Sequence, residues 1–294
     1  MRCLCMILIA VTLAGCESKS PVAPVLVYAS GEAGSELDGL LAEFTEETDI
    51  PVVVSWGDSS SNTDKLVNNV NDRADVLITS NVADIWRAAD EGSLRPIRSA
   101  AFDSVPTFLK DSEGSWAAIG MRLHVIAVAN ADVQPIVEGY DALASAQLRG
   151  RLCLSSSSLH VNRSLIAMLI NDRGAKQAER LVRSWVQNLA MPPLASQEAL
   201  LDALREGRCE YGIVAVQAGN NDPVVFKPEP IYLDIDGIGV ARHAQQPQAA
   251  QQLVDWLLRK TNIQIGSDAE TRPVGIAGWL DEDAKLLAER ASYR

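Results

Sequence analysis

The chain has 294 residues, which is too many for one small core and suits two lobes. Hydrophobic residues make up 47% of it, and this proportion excludes a disordered chain. The formal net charge of −12 disfavours nucleic acid and anionic lipid as partners, although such acidity is also ordinary for a well-solvated protein.

The N-terminus has the pattern of a bacterial export signal. Arg2 precedes an apolar run that ends at Leu13-Ala14-Gly15-Cys16 and is too short to cross a bilayer. The cysteine after two small residues resembles the lipobox, in which that cysteine carries the lipid. A plain signal peptide with a chance cysteine is the alternative. We predict a signal peptide over 1–15, lipidation of Cys16, a tether over 16–24, and an exported, periplasmic protein held at a membrane.

From residue 25 onward, apolar strands alternate with helices. Strands are predicted at 25–28, 51–54, 75–78, 123–129, 151–154, 211–216, 231–233 and 238–241. Helices are predicted at 37–44, 66–70, 83–92, 198–205, 249–259 and 282–290, with a long one after Gly174. This alternation predicts the α/β class, with parallel sheets covered by helices on both faces and a cleft between two units.

Polar residues follow five of the predicted strands. Ligands of α/β sheets bind beyond the carboxyl ends of the strands, at helix N-termini. Each cluster alone is more typical of a helix cap or a turn. Five clusters at corresponding strand ends favour a binding rim.

The five cysteines divide by position. Cys3 and Cys5 leave with the signal, and Cys16 would carry lipid. The remaining two, Cys153 and Cys209, favour a disulfide in an exported chain, worth roughly 4 kcal/mol in the chain-entropy model. Two separately buried thiols are the alternative.

A series of short segments resembles one protein family over nearly all of residues 25–280. In chain order they are 25–28, 44–48, 74–77, 92–96, 114–116, 121–122, 148–153, 162–165, 207–210, 212–214 and 272–274. Each is weak alone, but the ordered series resembles the ferric-iron-binding group of the bacterial periplasmic solute-binding proteins of ABC transporters.

The resemblance implies a two-lobe, type II periplasmic-binding-protein fold that closes a hinged cleft on a solute and docks on an inner-membrane permease. We expect lobe 1 over 25–122 plus about 237–268, and lobe 2 over 123–236 plus about 269–294. Relatives carry the Cys153–Cys209 pair, which supports the disulfide. We expect a monomer without catalytic activity.

The iron site of the group is altered in this chain. Relatives place a tyrosine before the Asn-x-Ser-Leu motif, where this chain has Val161, and two tyrosines after the Gly-Ile-Val strand, where it has Gln217 and Ala218. Ferric iron prefers anionic oxygen ligands, which these residues lack. His160 and Glu32 are candidates for a poorer metal site, although a surface or capping role is commoner for such a histidine. The fold therefore carries over, and the tyrosine site does not.

Arg122 matches a family position that faces the cleft and helps hold an anion. A guanidinium pairs bidentately with carboxylate-like groups, although an ion pair between the lobes is the alternative. We hypothesise a small anionic or zwitterionic solute, or a metal carried with an anion or chelator; no other cofactor is expected. The candidate ligand-binding residues are Ser30, Glu32, Ser59, Ser60, Ser80, Asn81, Arg122, Ser157, His160, Asn162 and Gln217.

Two other functions stay open. A ligand-sensing lipoprotein that signals to a membrane partner would share this fold and cleft. A hydrolase would need a serine among residues 155–158 with His160 as its base, but the sequence has no Gly-x-Ser-x-Gly elbow, zinc helix or phosphate loop.

Overall fold

A computed structural model of the chain describes residues 22–68, 74–130, 132–133, 139–217, 225–226, 228, 230–261, 263 and 272–294. The predicted signal peptide, Cys16, Val70 and Ala218 lie outside these residues, as does most of the tether. Among the described residues, no helix combines the length and hydropathy needed to cross a bilayer.

The described elements confirm the predicted α/β class. The strands are β1 (Val25–Ser30), β2 (Val52–Gly57), β3 (Val76–Thr79), β4 (Leu94–Arg95), β5 (Ala117–Val128), β6 (Leu152–Cys153), β7 (Tyr211–Gln217), β8 (Val225–Phe226) and β9 (Leu233–Ala241). The helices are α1 (Glu36–Thr48), α2 (Ser59–Asn68), α3 (Val82–Asp90), α4 (Ala100–Ser104), α5 (His160–Arg173), α6 (Ala175–Gln187), α7 (Gln197–Arg205), α8 (Pro247–Thr261), α9 (Gly275–Trp279) and α10 (Asp281–Arg290).

The sheet is mixed, which corrects the prediction of purely parallel sheets. Its strand order is β2-β1-β3-β9-β5-β7-β6, with β4 beside β9 and β8 beside β5. β1 runs parallel to β2 and β3, and β6 runs parallel to β7. β9 is antiparallel to both β3 and β5, because it returns through the middle of the sheet from the second half of the chain.

Two long strands differ from their prediction. The strand predicted at 123–129 is the second half of β5, and the strands predicted at 231–233 and 238–241 are one strand, β9. Both contribute to two separate apolar clusters: Ile119 and Ile238 belong to one, while Val125 and Ile235 belong to the other. β5 and β9 therefore connect the two cores.

The helices place these two cores on different parts of the sheet. One core contains Phe44 of α1 and Leu253 of α8, packed beside β1. The other contains Leu165 of α5 and Trp185 of α6, and it extends to Ile85 of α3. α9 packs against both α3 and α5, so the C-terminal helices join the second core to the first half of the chain.

Cys153 and Cys209 form a disulfide, which confirms the predicted pairing and excludes two separate thiols. Their Cα atoms are 5.9 Å apart and their positions differ by 56 residues. Both side chains are buried. The bond joins β6 to the segment between α7 and β7.

Candidate ligand-binding site

A cavity of about 680 Å³ opens where β1 and β3 end, beside the middle of β5. Three of the predicted rim residues line it: Ser30 at the end of β1, Ser80 after β3, and Gln217 at the end of β7. Ser30 Oγ donates to the Ile78 carbonyl, 3.3 Å away, which leaves its lone pairs available. Three residues predicted from their position at the carboxyl ends of strands therefore line one cavity.

Arg122 is held by two carboxylates beside this cavity. Its Nη1 donates to Asp236 Oδ1 at 2.7 Å, and its Nη2 donates to the Ser80 carbonyl at 2.6 Å and lies 3.6 Å from Asp234 Oδ2. Burial alone would lower the pKa of Arg122, but Asp236 and Asp234 outweigh it and raise that pKa. The guanidinium charge is therefore already balanced, so an anion entering the cavity would compete with carboxylates of the protein.

The pairing of β5 with β9 builds this charged group. Asp234 lies opposite Arg122, and Asp236 lies opposite Gly120. A Cβ at Gly120 would lie 2.3 Å from Asp236 Oδ2, so only glycine lets that carboxylate cross the neighbouring strand. Burial raises the pKa of Asp234, whose Oδ2 has no hydrogen-bond partner. Sequence reasoning missed both aspartates, although two acids alternating in an apolar strand are a detectable signal.

A second group forms where α2, α3 and α5 begin. Ser60 Oγ lies 3.0 Å from Asp84 Oδ1 and 3.2 Å from His160 Nε2, and Arg163 Nη2 lies 2.5 Å from His160 Nδ1. Burial alone would raise the pKa of Asp84, but hydrogen bonds, led by that from Asn81, lower it overall. Asp84 therefore acts as an acceptor, and this group lies on a cavity of about 540 Å³ distinct from the first.

Other predicted residues have capping or loop roles. Asn81 caps α3 through its contact with the Asp84 amide at 2.9 Å, and its Nδ2 donates to Ser59. Asn162 Nδ2 donates to two backbone carbonyls of the loop before α5. Ser157 Oγ donates to the Tyr293 carbonyl at 2.8 Å, and the Glu32 side chain is exposed. The asparagines and Ser157 thus have contacts typical of caps and loops, and their predicted role in ligand binding stays a prediction.

His160, the candidate metal ligand and hydrolase base, is paired with an arginine. Among the described residues, no three His, Cys, Asp or Glu side chains are close enough to hold a metal ion. His160 accepts from Arg163 at Nδ1, because a guanidinium can only donate, and its Nε2 then carries the proton. That nitrogen cannot accept a proton from a serine, so this arrangement does not support the hydrolase alternative.

Residues 25–267 match the family model of the bacterial extracellular solute-binding proteins. The chain belongs to this family. The cavity described above thus lies in a solute-binding protein, at the strand ends where such folds bind their ligands.

Two relatives of this solute-binding protein come from Synechocystis sp. Iron uptake protein A1 is 27% identical over 240 residues, which are 74% of this chain and 67% of the relative. Iron uptake protein A2 is 26% identical over 210 residues, which are 64% of this chain and 60% of the relative. The matched regions thus span about two thirds of these relatives or slightly less. The predicted resemblance to the ferric-iron-binding group is confirmed.

Solved structures of the same group share the fold. Trichodesmium FutA, in complex with iron and citrate ligands, superposes with a TM-score of 0.82 at 24% identity, covering 92% of this chain and 100% of that one. The ferric binding protein from Campylobacter jejuni gives 0.79 at 19% identity, with coverage of 92% and 100%. These matches confirm the predicted two-lobe fold for this solute-binding protein.

Proposed function

We propose that the chain is the substrate-binding lipoprotein of an ABC transporter, which captures a small solute and delivers it to a membrane permease from the periplasmic side. The observation that carries the proposal is the cavity at the ends of β1, β3 and β7, lined by Ser30, Ser80 and Gln217 in a solute-binding fold. Contacts from both lobes would favour the closed form by differential affinity.

For the solute, we propose an anionic compound or an iron complex, and ferric iron with a carboxylate chelator first. The similarity to iron uptake proteins supports iron as cargo. The described residues offer no cluster of three metal-ligating side chains, so the ion would arrive with oxygen ligands of its own. Hydroxyl and amide groups such as those of Ser30 and Gln217 suit the carboxylates of a chelator.

Calorimetric titration of the purified full chain with ferric citrate, citrate and inorganic phosphate tests this proposal. Asp236→Asn removes a negative charge facing the cavity and turns the ion pair with Nη1 of Arg122 into a neutral hydrogen bond, so it should tighten ferric citrate binding by about tenfold. Arg122→Ala leaves Asp234 and Asp236 unbalanced and should weaken that binding by about 3 kcal/mol.

Three results would contradict the proposal. One is the absence of heat with ferric citrate and with both anions. Another is tight binding of Fe(III) without a chelator that survives substitution of both His160 and Glu32. The third is unchanged ferric citrate affinity in Arg122→Ala, provided that thermal unfolding shows the variant to be folded.

A further inference from the structure

Four side chains on α2, α3 and α5 form a hydrogen-bond chain with a single direction. At one end Arg163 can only donate, so His160 accepts at Nδ1. His160 then donates from Nε2 to Ser60 Oγ, and Ser60 donates to Asp84 Oδ1. At the other end, the carboxylate of Asp84 can only accept. The shortest contacts thus run in one direction from Arg163 to Asp84, and Nη2 of Arg163 lies farther from His160 Nε2, at 3.4 Å, than from Nδ1.

Ion pairs fix both ends of this chain. Arg163 Nε donates to Asp281 Oδ1 of α10 at 2.8 Å, in a pair that is largely buried. Asp84 is buried and lies 3.6 Å from Arg87, which also pairs with Asp64 at 2.7 Å. Arg163 is therefore held by α10, and Asp84 by an arginine of its own helix. Ser60 and His160 lie between these two end groups and join α2 to α5.

The chain does not line the proposed solute cavity. Ser60, Asp84, His160 and Arg163 line the second cavity, and none of them borders the first. Both ring nitrogens of His160 are engaged within the protein, and the Ser60 hydroxyl proton is committed to Asp84. A solute would have to break these bonds to use either side chain as a ligand.

We propose that Ser60 and His160 are positioning residues for solute capture: their contact holds the helices that begin at Ser59 and at His160 together in the closed form, whether or not solute is bound. This rests on the proposed function and on the predicted lobe boundaries, which place α2 and α3 in one lobe and α5 in the other. Solute in the first cavity then meets lobes that already touch. In this proposal the two residues act on the lobes rather than as direct solute ligands.

Double electron–electron resonance on the solute-free full chain measures the distance between the two lobes. Bio-orthogonal spin labels at Glu46 and Lys176, both exposed on helices of different cores, report the distance between the lobes. Ser60→Ala should lower the closed-to-open ratio about fivefold, as expected for the loss of one hydrogen bond. Ser61→Ala is the matched control, since Ser61 is the next residue of α2 and is exposed.

Two further variants keep the proposal falsifiable if Ser60→Ala is poorly folded. Ser60→Thr retains the hydroxyl and should keep the wild-type distance distribution. His160→Ala removes both ring nitrogens and should open the lobes, whereas His243→Ala, at an exposed position, should not. Identical distributions in wild type, Ser60→Ala and His160→Ala would overturn the proposal. Because the sample contains no solute, this outcome is separate from a failure of ferric citrate to bind.

Discussion

At the scale of single residues, His124 illustrates how burial fixes a protonation state. Its Nε2 lies 3.1 Å from Ser164 Oγ, and that hydroxyl donates to the Val161 carbonyl at 2.8 Å. The histidine must therefore donate from Nε2. Burial, followed by the nearby charge of Arg122, lowers the pKa of His124 to about 3.

This lowered pKa predicts a loss of stability in acid. An unfolded histidine has a pKa of about 6.5, so between pH 6.5 and 3 the unfolded chain binds a proton that the folded chain does not. The free energy of unfolding should fall by up to about 1.4 kcal/mol per pH unit in that window from this group. His124→Gln, which cannot titrate, should remove this contribution in urea unfolding at pH 7, 6, 5 and 4. His243→Gln should retain it, and an unchanged slope in His124→Gln would contradict the assignment.

At the scale of elements, the packing of α9 on α3 depends on one glycine. A Cβ at Gly278 would lie 2.4 Å from Cβ of Trp86, a distance that real side chains do not reach. α9 also packs against α5, so this contact affects how the C-terminal helices join the two cores. Gly39 of α1, by contrast, has no atom within 4 Å of such a Cβ.

Substitution by alanine should have opposite effects on the free energy of unfolding at these two glycines. Gly278→Ala should lower the free energy of unfolding by about 1–3 kcal/mol, because overpacking forces α9 away from Trp86. Gly39→Ala should raise it by about 0.5–1 kcal/mol, since alanine favours an exposed helix interior over glycine. Chemical unfolding of both variants checks the pair. Equal effects would show that helix propensity, rather than the contact with Trp86, decides the result at residue 278.

Periodicity predicted short elements well and failed where glycine or buried polar residues have a packing role. The prediction divides β9 at residues 234–237, where Asp234, Asp236 and Gly237 interrupt the apolar run. In the structure the strand continues through them, and Gly237 is needed for packing because a Cβ there would lie 2.6 Å from Ile85. α5 was missed because its buried positions include Asn162 and Ser164, which interrupt an apolar stripe.

At the scale of the whole molecule, the candidate site was predictable only in part. Ser30, Ser80 and Gln217 line one cavity, as expected for residues that follow strands of an α/β sheet. Their position was predictable because the topology of such a sheet decides where its ligands bind. The partners of Asp236 and Asp84 were not predicted, since they lie 114 and 24 residues away along the chain. A local pattern can mark an unusual acid in a strand, but it contains no information on which distant residue that acid pairs with.

Attachment of the whole molecule to a membrane depends on Cys16 alone in our proposal. Residues 16–24 separate that cysteine from β1 at Val25, so lipidation should hold the folded part at a membrane without touching the cavity. Each buried methylene contributes about 0.8 kcal/mol, and stable anchoring takes more than one acyl chain. Cys16→Ser should therefore move the exported protein from the membrane fraction to the soluble fraction while ferric citrate affinity stays the same.

Cys5→Ser is the matched control, because that cysteine lies in the predicted signal peptide and its substitution should not release the protein. Cells that express each full-length variant are fractionated and immunoblotted to show whether the protein is membrane-bound. Labelling with a palmitate analogue shows whether it carries an acyl chain. A Cys16→Ser protein that stays in the membrane fraction would refute the lipid anchor. If it is released but has lost ferric citrate affinity, residue 16 or its lipid contributes to solute binding, and the predicted independence of anchor and cavity is wrong.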